Sequence, residues 1–470
     1  MTGLGKLILL LLVAAGVAVC EAGPSEPGSA LQRLQVSENR RFLQYEDGEP
    51  FFWLGDTAWL LFGKLDREEA GRYLQDRRDK GFNVIQAVLV HELSQANVYG
   101  DSAFIGQDPA RPDSTPGSGP EDALAYDYWD HVDFITDLAL AKGLYLAMVP
   151  IWGGAAKQGP EGHEWAATYA AWLARRYGDR PNIVWLNGGD IRGDVRPEVW
   201  RRIGTTLDRL APRQLASFHP FGRTQSSTWF HDARWLDFNM FQSGHRRYDQ
   251  RRDSDDPKTW KGEDNWKYVA EDYARRPAKP TLDGEPSYEN IPQGLHDPGQ
   301  PYWTAADARR YAYWAVFAGA FGHTYGNNAV MQMHKPGTGQ GSYGVRNFWY
   351  EALDDPGAGQ MQHLKNLVLS RPFFERVPDQ SLIAGRNGEK YERVAATRGK
   401  RYALLYTYTG RAFDVVMGRI AGDQVRAQWF SPRNGETTFI GRFDNTATRR
   451  FDPPGRERPG NDWVLVLDGE

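Results

Sequence analysis

From Leu34 to about Glu375, short apolar runs alternate with longer stretches whose apolar residues recur at helical spacing. "FFWLGDTAW" from Phe51 precedes the amphipathic "DREEAGRYLQDRRDKG", which stops at Gly81. "FNVIQAVLV" is followed, after an insertion, by "YDYWDHVDFITDLALAKG", again ending in Gly. "LYLAMVPIW" precedes "EWAATYAAWLARRYGDR", and "NIVWLNGGD" precedes "RPEVWRRIGTTLDRLAP". "QLASFHPFG" leads to a short helical piece near Phe230, and "LDFNMFQSG" leads to "NWKYVAEDYARR". "KPTLDGEP" precedes "AADARRYAYWAVFAGA", and "FGHTYGNNAVMQ" precedes "FWYEALDDPGAGQMQHLKNLVLS". Strands that are apolar almost throughout, each followed by a helix, imply a parallel sheet covered on both faces. Eight such units predict an α/β fold of the (β/α)8 TIM-barrel type over 34–375. A doubly wound open sheet is the alternative, but no phosphate loop follows the first strand.

The pattern changes at about Arg376. "ERVAATRGKRYALLYTYTG", "FDVVMGR", "VRAQWFSPRNGETTFIGRF" and "DWVLVLD" are short alternating strands separated by turns such as "TRGK" and "RNGE". They predict a C-terminal all-β sandwich over 376–470. At the other end, Lys6 precedes an apolar run from Leu7 to Val19 and then small residues. The run is too short to span a bilayer, so a secretory signal peptide over 1–22 is expected, followed by a turn-rich linker over 23–33. Cys20 raises lipid attachment as the weaker expectation, because Val19 stands where a small residue is required. As the sole cysteine it excludes disulfides and thiolate metal sites.

Composition narrows the function. A net charge of −4 over 470 residues lacks the basic excess of a nucleic-acid binder. The 17 tryptophans are enough both to pack a large barrel and to stack on sugar rings. "HELSQ" at His91 has Gln95 where a zinc-protease helix needs its second His, and no H-x-H opens the first strand, so no metal is expected. "GQGSYG", Gly339 to Gly344, lacks the βαβ setting of a dinucleotide loop and reads as a flexible loop. "HPF" at His219 has no nucleophilic Ser beside it. No cofactor is implied.

Active sites of parallel barrels lie at the C-terminal ends of the strands. Asp190, in "WLNGGD", ends strand four, and Glu285, in "LDGEPSYEN", ends strand seven. Two carboxyl groups facing one cleft are what glycosidic hydrolysis needs: one protonates the leaving oxygen, the other attacks the anomeric carbon or activates water. The layout resembles that of retaining barrel glycosidases with the acid/base after strand four and the nucleophile after strand seven. Here an Asp after two glycines replaces the usual Glu after Asn, and Gly188 and Gly189 would let the backbone make up the lost reach. As isolated residues, Asp190 could equally cap the next helix, and Asp283 or Glu289 could compete with Glu285. Asp56, Trp59, Gln86, His91, Trp152, Asn187, His219, Gln242, His245, Tyr325 and Asn327, at or near other strand ends, are candidate substrate-binding residues. Arg246 and Arg247, after strand six, are candidates for a uronate carboxylate.

"FFWLGDTAWLLF", "YLQDRRDKGFNVIQ", "WLNGGD", "MFQSGH" and "PTLDGEPSYE" resemble, in this order, the apiosidase-like catalytic domain family linked to glycoside hydrolase family 140. The resemblance covers about Leu34 to Glu375. It implies a (β/α)8 barrel, Asp190 as acid/base, Glu285 as nucleophile, and release of apiose-linked side chains from the pectin rhamnogalacturonan II. The C-terminal part resembles the β-sandwich often attached to such barrels under a collagen-binding label, although nothing in its strands points to collagen. The expectation is therefore a secreted retaining glycosidase with a carbohydrate substrate. The rival is a non-catalytic carbohydrate-binding or adhesive protein on a barrel scaffold, which would have no need of the carboxylate pair.

Overall fold

The computed structural model describes residues 31–252 and 261–470. The expected signal peptide, Cys20, linker residues 23–30 and the acids Asp253, Asp255 and Asp256 lie outside the described residues. Eight strands occur at the places the apolar runs mark: β1 (Trp53–Thr57), β2 (Val84–Val88), β3 (Tyr145–Val149), β4 (Ile183–Ile191), β5 (Ala216–Pro220), β6 (Asn239–Gln242), β7 (Thr281–Asp283) and β8 (Gly322–Tyr325). One six-stranded sheet runs β8-β1-β2-β3-β4-β5, with every pairing parallel. β6 and β7 form a second parallel pair, which Thr224–Gln225 joins antiparallel to β6. Single hydrogen bonds link the two sheets. Phe321 N–H donates to Thr281 O (3.1 Å), Asp237 N–H to Ala216 O (2.9 Å), and Ser217 Oγ to Phe238 O (2.6 Å). The eighth strand lies against the first, as an open doubly wound sheet would not allow, so the fold is a TIM-like α/β arrangement.

Local chemistry sets the helices. Asp66 accepts from Glu69 N–H while the Glu69 side chain reaches back to Asp66 N–H, a reciprocal cap that starts helix Arg67–Asp79. Just past that helix, Gly81 takes a φ of +83°, which favours glycine. Asp127 and Thr304 open Tyr128–Ala141 and Ala305–Phe317 in the same reciprocal way. Inside the strands, Trp53, Phe238 and Phe321 pack edge to face with ring centroids 5.4–6.1 Å apart, filling the N-terminal half of the interior. Trp53 Nε1 finds Thr324 Oγ1 at 3.2 Å, so its buried donor is satisfied. Residues 34–51, read from sequence as the start of the barrel, instead form a three-stranded antiparallel sheet, Leu34–Val36, Leu43–Tyr45 and Pro50–Phe51. Phe51 packs on Tyr145 at the start of β3 (5.3 Å), so this sheet lies at the end opposite the strand C-termini. Among the described residues no helix is long and apolar enough to cross a membrane.

The C-terminal region is an antiparallel β domain. Six strands in the order Val377–Pro378, Val394–Arg398, Tyr402–Thr407, Trp463–Gly469, Gln424–Phe430 and Thr437–Asp444 share a core with the ribbon Phe413–Val416/Thr448–Phe451. Leu405, Val425, Trp429 and Leu465 from the larger sheet meet Phe413, Val415 and Phe451 from the ribbon. This domain sits directly on helix Ala305–Phe317. Arg309 Nε and Nη2 grip Asp462 Oδ2 and Oδ1, both at 2.8 Å, with both side chains buried. Tyr313 stacks on Tyr406 at 4.7 Å, and Tyr408 OH donates to Asp307 at 3.0 Å. Removing one partner of a buried bidentate pair strands the other charge in a medium that solvates it poorly. Asp462→Ala should therefore cost about 3–5 kcal/mol of stability. Chemical denaturation of the full chain checks this, and an unchanged midpoint would mean that the pair contributes nothing.

Candidate active site

β4 ends in an irregular turn. Gly188 and Gly189 have φ values of +94° and +98°, and the ladder to β5 slips between Gly188 and Ile191. A Cβ on Gly188 would stand 2.6 Å from His219 O, and one on Gly189 would stand 2.5 Å from Trp152 Cε3, so only glycine fits at either place. The turn puts Asp190 at the mouth of the strands with its own φ at +46°, and Asp190 N–H donates to His219 Nδ1 at 3.3 Å. β7 ends at Asp283, which faces into the protein, where Ser243 Oγ (2.7 Å) and Asn265 Nδ2 (3.1 Å) donate to it. The strand breaks off there, and the chain beyond it, through Gly284, turns Glu285 into the cleft.

Glu285 and Asp190 line one cavity of about 370 Å³. Two histidines hold Glu285: His245 Nε2 is 3.1 Å from Oε1 and His219 Nε2 is 3.3 Å from Oε2. The far nitrogen of each ring accepts from a backbone N–H, Asp190 N–H at His219 Nδ1 and Tyr288 N–H (3.4 Å) at His245 Nδ1. With a backbone N–H at each Nδ1, it is the Nε2 of each ring that faces Glu285. Burial alone pushes the Glu285 carboxyl up, but the two imidazoles override it and hold it at about 2. Asp190 faces the opposite balance. The cleft walls thin the water around it and push its carboxyl up to about 6. The negative charge of Glu285 adds to the shift, against the pull of the two histidines. Two carboxyl groups in one cleft are thus held apart in acidity, one ionised and one able to carry a proton.

Among the candidate binding residues, Trp59, His91, Trp152, Gln242 and His245 line the cavity. Trp152 packs between Trp59 (5.3 Å) and His91 (5.4 Å, stacked), so the indoles form a continuous aromatic wall. His219 stands behind that wall, edge-on to Trp59 at 5.1 Å, and reaches Glu285 rather than the open cleft. Five candidates are placed elsewhere. Asp56 is buried outside the strands, where Tyr73 OH donates to it at 2.6 Å and Arg77 lies at 3.4 Å. Gln86 is buried and donates to Gly284 O at 2.9 Å, fixing the backbone before Glu285. Asn187 donates to Trp200 O at 2.7 Å and accepts from Gly188 N–H at 3.1 Å, bracing the glycine turn. Tyr325 OH donates to Glu289 at 2.6 Å. Asn327 caps a short helix through Ala329 N–H and donates to Asp355 at 2.6 Å. Each has polar atoms bonded to the scaffold and stands outside the lining of the cavity. Glu289, the competitor of Glu285, is likewise turned away, accepting from Tyr325 OH and from Gly357 N–H (2.9 Å).

Among the lining residues that the sequence reading missed are Phe221, Arg223, Tyr288 and Tyr343. Tyr288 lies three residues beyond Glu285 and receives Trp59 Nε1 at 3.2 Å. Phe221 and Tyr343 are partly exposed aromatic rings at the cleft. Tyr343 belongs to the glycine-rich "GQGSYG" segment read as a free loop. That segment is instead tied to the protein, Ser342 N–H donating to Gln332 at 2.7 Å and Asn328 to Tyr343 O at 2.9 Å. Arg247 is held by Asp249 (3.0 Å) and Gln293 (2.8 Å), whereas Arg246 lines the cleft. Among the described residues no cluster of His, Cys, Asp and Glu is arranged to hold a metal ion.

A carboxylate pair at the C-terminal ends of a TIM-like parallel sheet, beside an aromatic wall, defines the glycosidase class. Comparison with known proteins agrees. Residues 37–375 match the family model "Apiosidase-like, catalytic domain", and 377–468 match "Putative collagen-binding domain of a collagenase". A solved structure described as a glycoside hydrolase is 47% identical, with a TM-score of 0.88 over 93% of this chain and 97% of its own. A glycoside hydrolase family 5 structure from Bacteroides vulgatus is 46% identical, with a TM-score of 0.87 over 93% of this chain and 94% of its own. No curated protein matches. The chain belongs to the apiosidase-like catalytic domain family, and it is a glycosidase.

The histidine pair makes a direct prediction. With either donor removed, burial gains on hydrogen bonding, so His245→Phe should raise the Glu285 pKa from about 2 towards or above the ordinary glutamate value. Titration of the Glu285 side-chain ¹³C signal measures it, and an unmoved midpoint would remove His245 from the account.

Proposed function

We propose that the chain is a retaining glycosidase in which Glu285 is the nucleophile and Asp190 the acid/base. The observation that carries this is the split acidity of the pair, about 2 for Glu285 and about 6 for Asp190. In the first step Glu285 attacks the anomeric carbon and forms a glycosyl ester as the C–O bond to the leaving group breaks. Asp190 gives its proton to the departing oxygen. In the second step Asp190, now ionised, takes a proton from water. The water oxygen bonds to the anomeric carbon and Glu285 leaves as a carboxylate. Two inversions give net retention. His219 and His245 suit this cycle, because their Nε2 atoms face the carboxylate, keep it oriented and stabilise it again as it departs. A purely carbohydrate-binding protein would need neither the pair nor the difference in acidity.

The same reading takes as substrate a plant cell-wall glycan of the pectin type, cleaved at apiosyl linkages of rhamnogalacturonan II side chains, and the family resemblance supports it. Arg246 at the cleft suits an acidic sugar on the leaving-group side. Closure of the eight strands into a full (β/α)8 barrel, and pairing of the C-terminal sheets as a sandwich, are part of the same reading. The seam hydrogen bonds support the first and the shared core supports the second. Secretion through an N-terminal signal peptide, with lipid attachment at Cys20 as the weaker route, would bring the enzyme to an extracellular polysaccharide.

The test is hydrolysis of pectic side-chain oligosaccharides with the anomer of the released sugar read by NMR. Retention is expected, and an inverted first product would overturn the nucleophile assignment. Glu285→Gln and Asp190→Asn should each lower kcat by roughly two to four orders of magnitude. Azide should restore Asp190→Ala on substrates with good leaving groups, because the small anion attacks without a general base. In the wild type, kcat/KM should require Glu285 ionised and Asp190 protonated. It should therefore rise as pH passes upward through about 2 and fall as pH passes upward through about 6. A falling limb that persists unchanged in Asp190→Asn would assign that ionisation to another group.

A further inference from the structure

The C-terminal domain touches more than the helix it rests on. Glu263 is fully buried where three parts of the chain meet. Arg310, from barrel helix Ala305–Phe317, donates to Oε2 at 2.6 Å. Tyr391, on a turn of the C-terminal domain, places its hydroxyl 2.8 Å from Oε1 and 3.0 Å from Oε2. The third donor is Tyr248 N–H, 3.2 Å from Oε1, in the segment that follows β6. The rings of Tyr248 and Tyr391 meet edge to face at 5.5 Å, Lys390 lies over the Tyr248 ring at 5.2 Å, and Tyr248 OH reaches Asp264 at 2.5 Å. Tyr248 is therefore held through its backbone by Glu263 and through its hydroxyl by Asp264, while the C-terminal domain meets its ring through Tyr391 and Lys390.

Three residues before Tyr248 stands His245, whose Nε2 faces Glu285. Arg246, between them, lines the cleft. On its other side the segment is stitched to the loop that forms the cleft rim. Gly294 N–H donates to His245 O at 2.7 Å, and Gln250 Nε2 donates to Gln293 O at 2.8 Å. One short piece of chain thus carries the nucleophile's hydrogen-bond donor at one end and a contact with the C-terminal domain at the other.

We propose that the C-terminal domain is a working part of the active site, and that Tyr391, acting through Glu263, is a positioning residue that fixes the His245–Gln250 segment and with it the alignment of His245 on Glu285. The proposal deepens the glycosidase reading by giving the second domain a role at that site, but its test needs no substrate. Tyr391→Phe in the full-length chain keeps the ring and removes the hydroxyl. Hydrogen exchange of the amides of 247–250 should then quicken by about tenfold, since a donor to a buried charge is lost. Strands Tyr402–Thr407 and Tyr145–Val149 should keep their wild-type protection. The ¹⁵N signals of the His245 ring should shift as its bond to Glu285 loosens, a change that a merely structural role at the domain junction would not produce. Tyr248→Phe, which loses the Asp264 contact on the same segment, should reproduce both effects. Unchanged exchange over 247–250 and an unmoved His245 signal in both variants would overturn the proposal. So would exchange that quickens equally in both domains, which would mark Tyr391 as a docking contact only. If no glycan is hydrolysed while the local exchange and His245 responses appear, the glycosidase reading fails and the mechanical coupling stands.

Discussion

A carboxylate buried in protein is held ionised only if hydrogen bonds replace the water it has lost, and the cleft is organised around meeting that demand at Glu285. His245 hydrogen-bonds the carboxylate at 3.1 Å and His219 faces it at 3.3 Å, and a backbone N–H occupies the other nitrogen of each ring. One of those N–H groups belongs to Asp190. His219 thereby touches both carboxyl-bearing residues, one through its backbone and one through its carboxylate. The positive φ of Asp190 and the two preceding glycines bring that N–H to His219. The geometry of one carboxyl group depends on the same ring that sets the acidity of the other.

The support for this arrangement extends outward in layers. Gln86 holds Gly284 O, Asn187 braces the glycine turn, and Asp283 is pinned by Ser243 and Asn265. None of these side chains reaches the cleft, yet each fixes backbone that does. Outside them, the Arg309–Asp462 ion pair anchors the C-terminal domain to helix Ala305–Phe317, and the Arg310–Glu263 pair, within the catalytic region, is met by Tyr391 of the C-terminal domain, in a setting where either charge alone would be costly. The two domains meet through aromatic faces and buried charges rather than a flexible tether, since Phe373–Glu375 runs directly into Val377–Pro378.

The eight strands and their helices were legible because parallel strands buried on both faces are apolar throughout, and because helix starts such as Asp66-Arg67-Glu68-Glu69 carry their own caps. Asp190 and Glu285 were legible because strand ends in such a sheet converge. Strand ends do not say where a side chain points, however. Asp56 looked like a cleft residue and faces a helix, because alternation along β1 turns it outward to Tyr73 and Arg77. Tyr343 looked like part of a free loop, because the hydrogen bonds that tie it down come from Asn328 and Gln332, which have no periodic relation to it.

By itself, then, the sequence determined which segments are strands and helices, the order in which they assemble, the change to β structure near residue 376, and which two carboxyl groups stand at the strand ends. These are properties of local pattern and of connection rules that any such chain obeys. Only the tertiary structure decided that the acidities of Glu285 and Asp190 are pushed in opposite directions, which of the polar strand-end residues open on the cleft, and that the C-terminal domain reaches the segment beside Glu285. Each of these depends on burial and on contacts between residues far apart in the chain. His245 meets Glu285 at a sequence separation of 40 and Glu263 meets Tyr391 at a separation of 128. A pattern read along one dimension carries no measure of such distances.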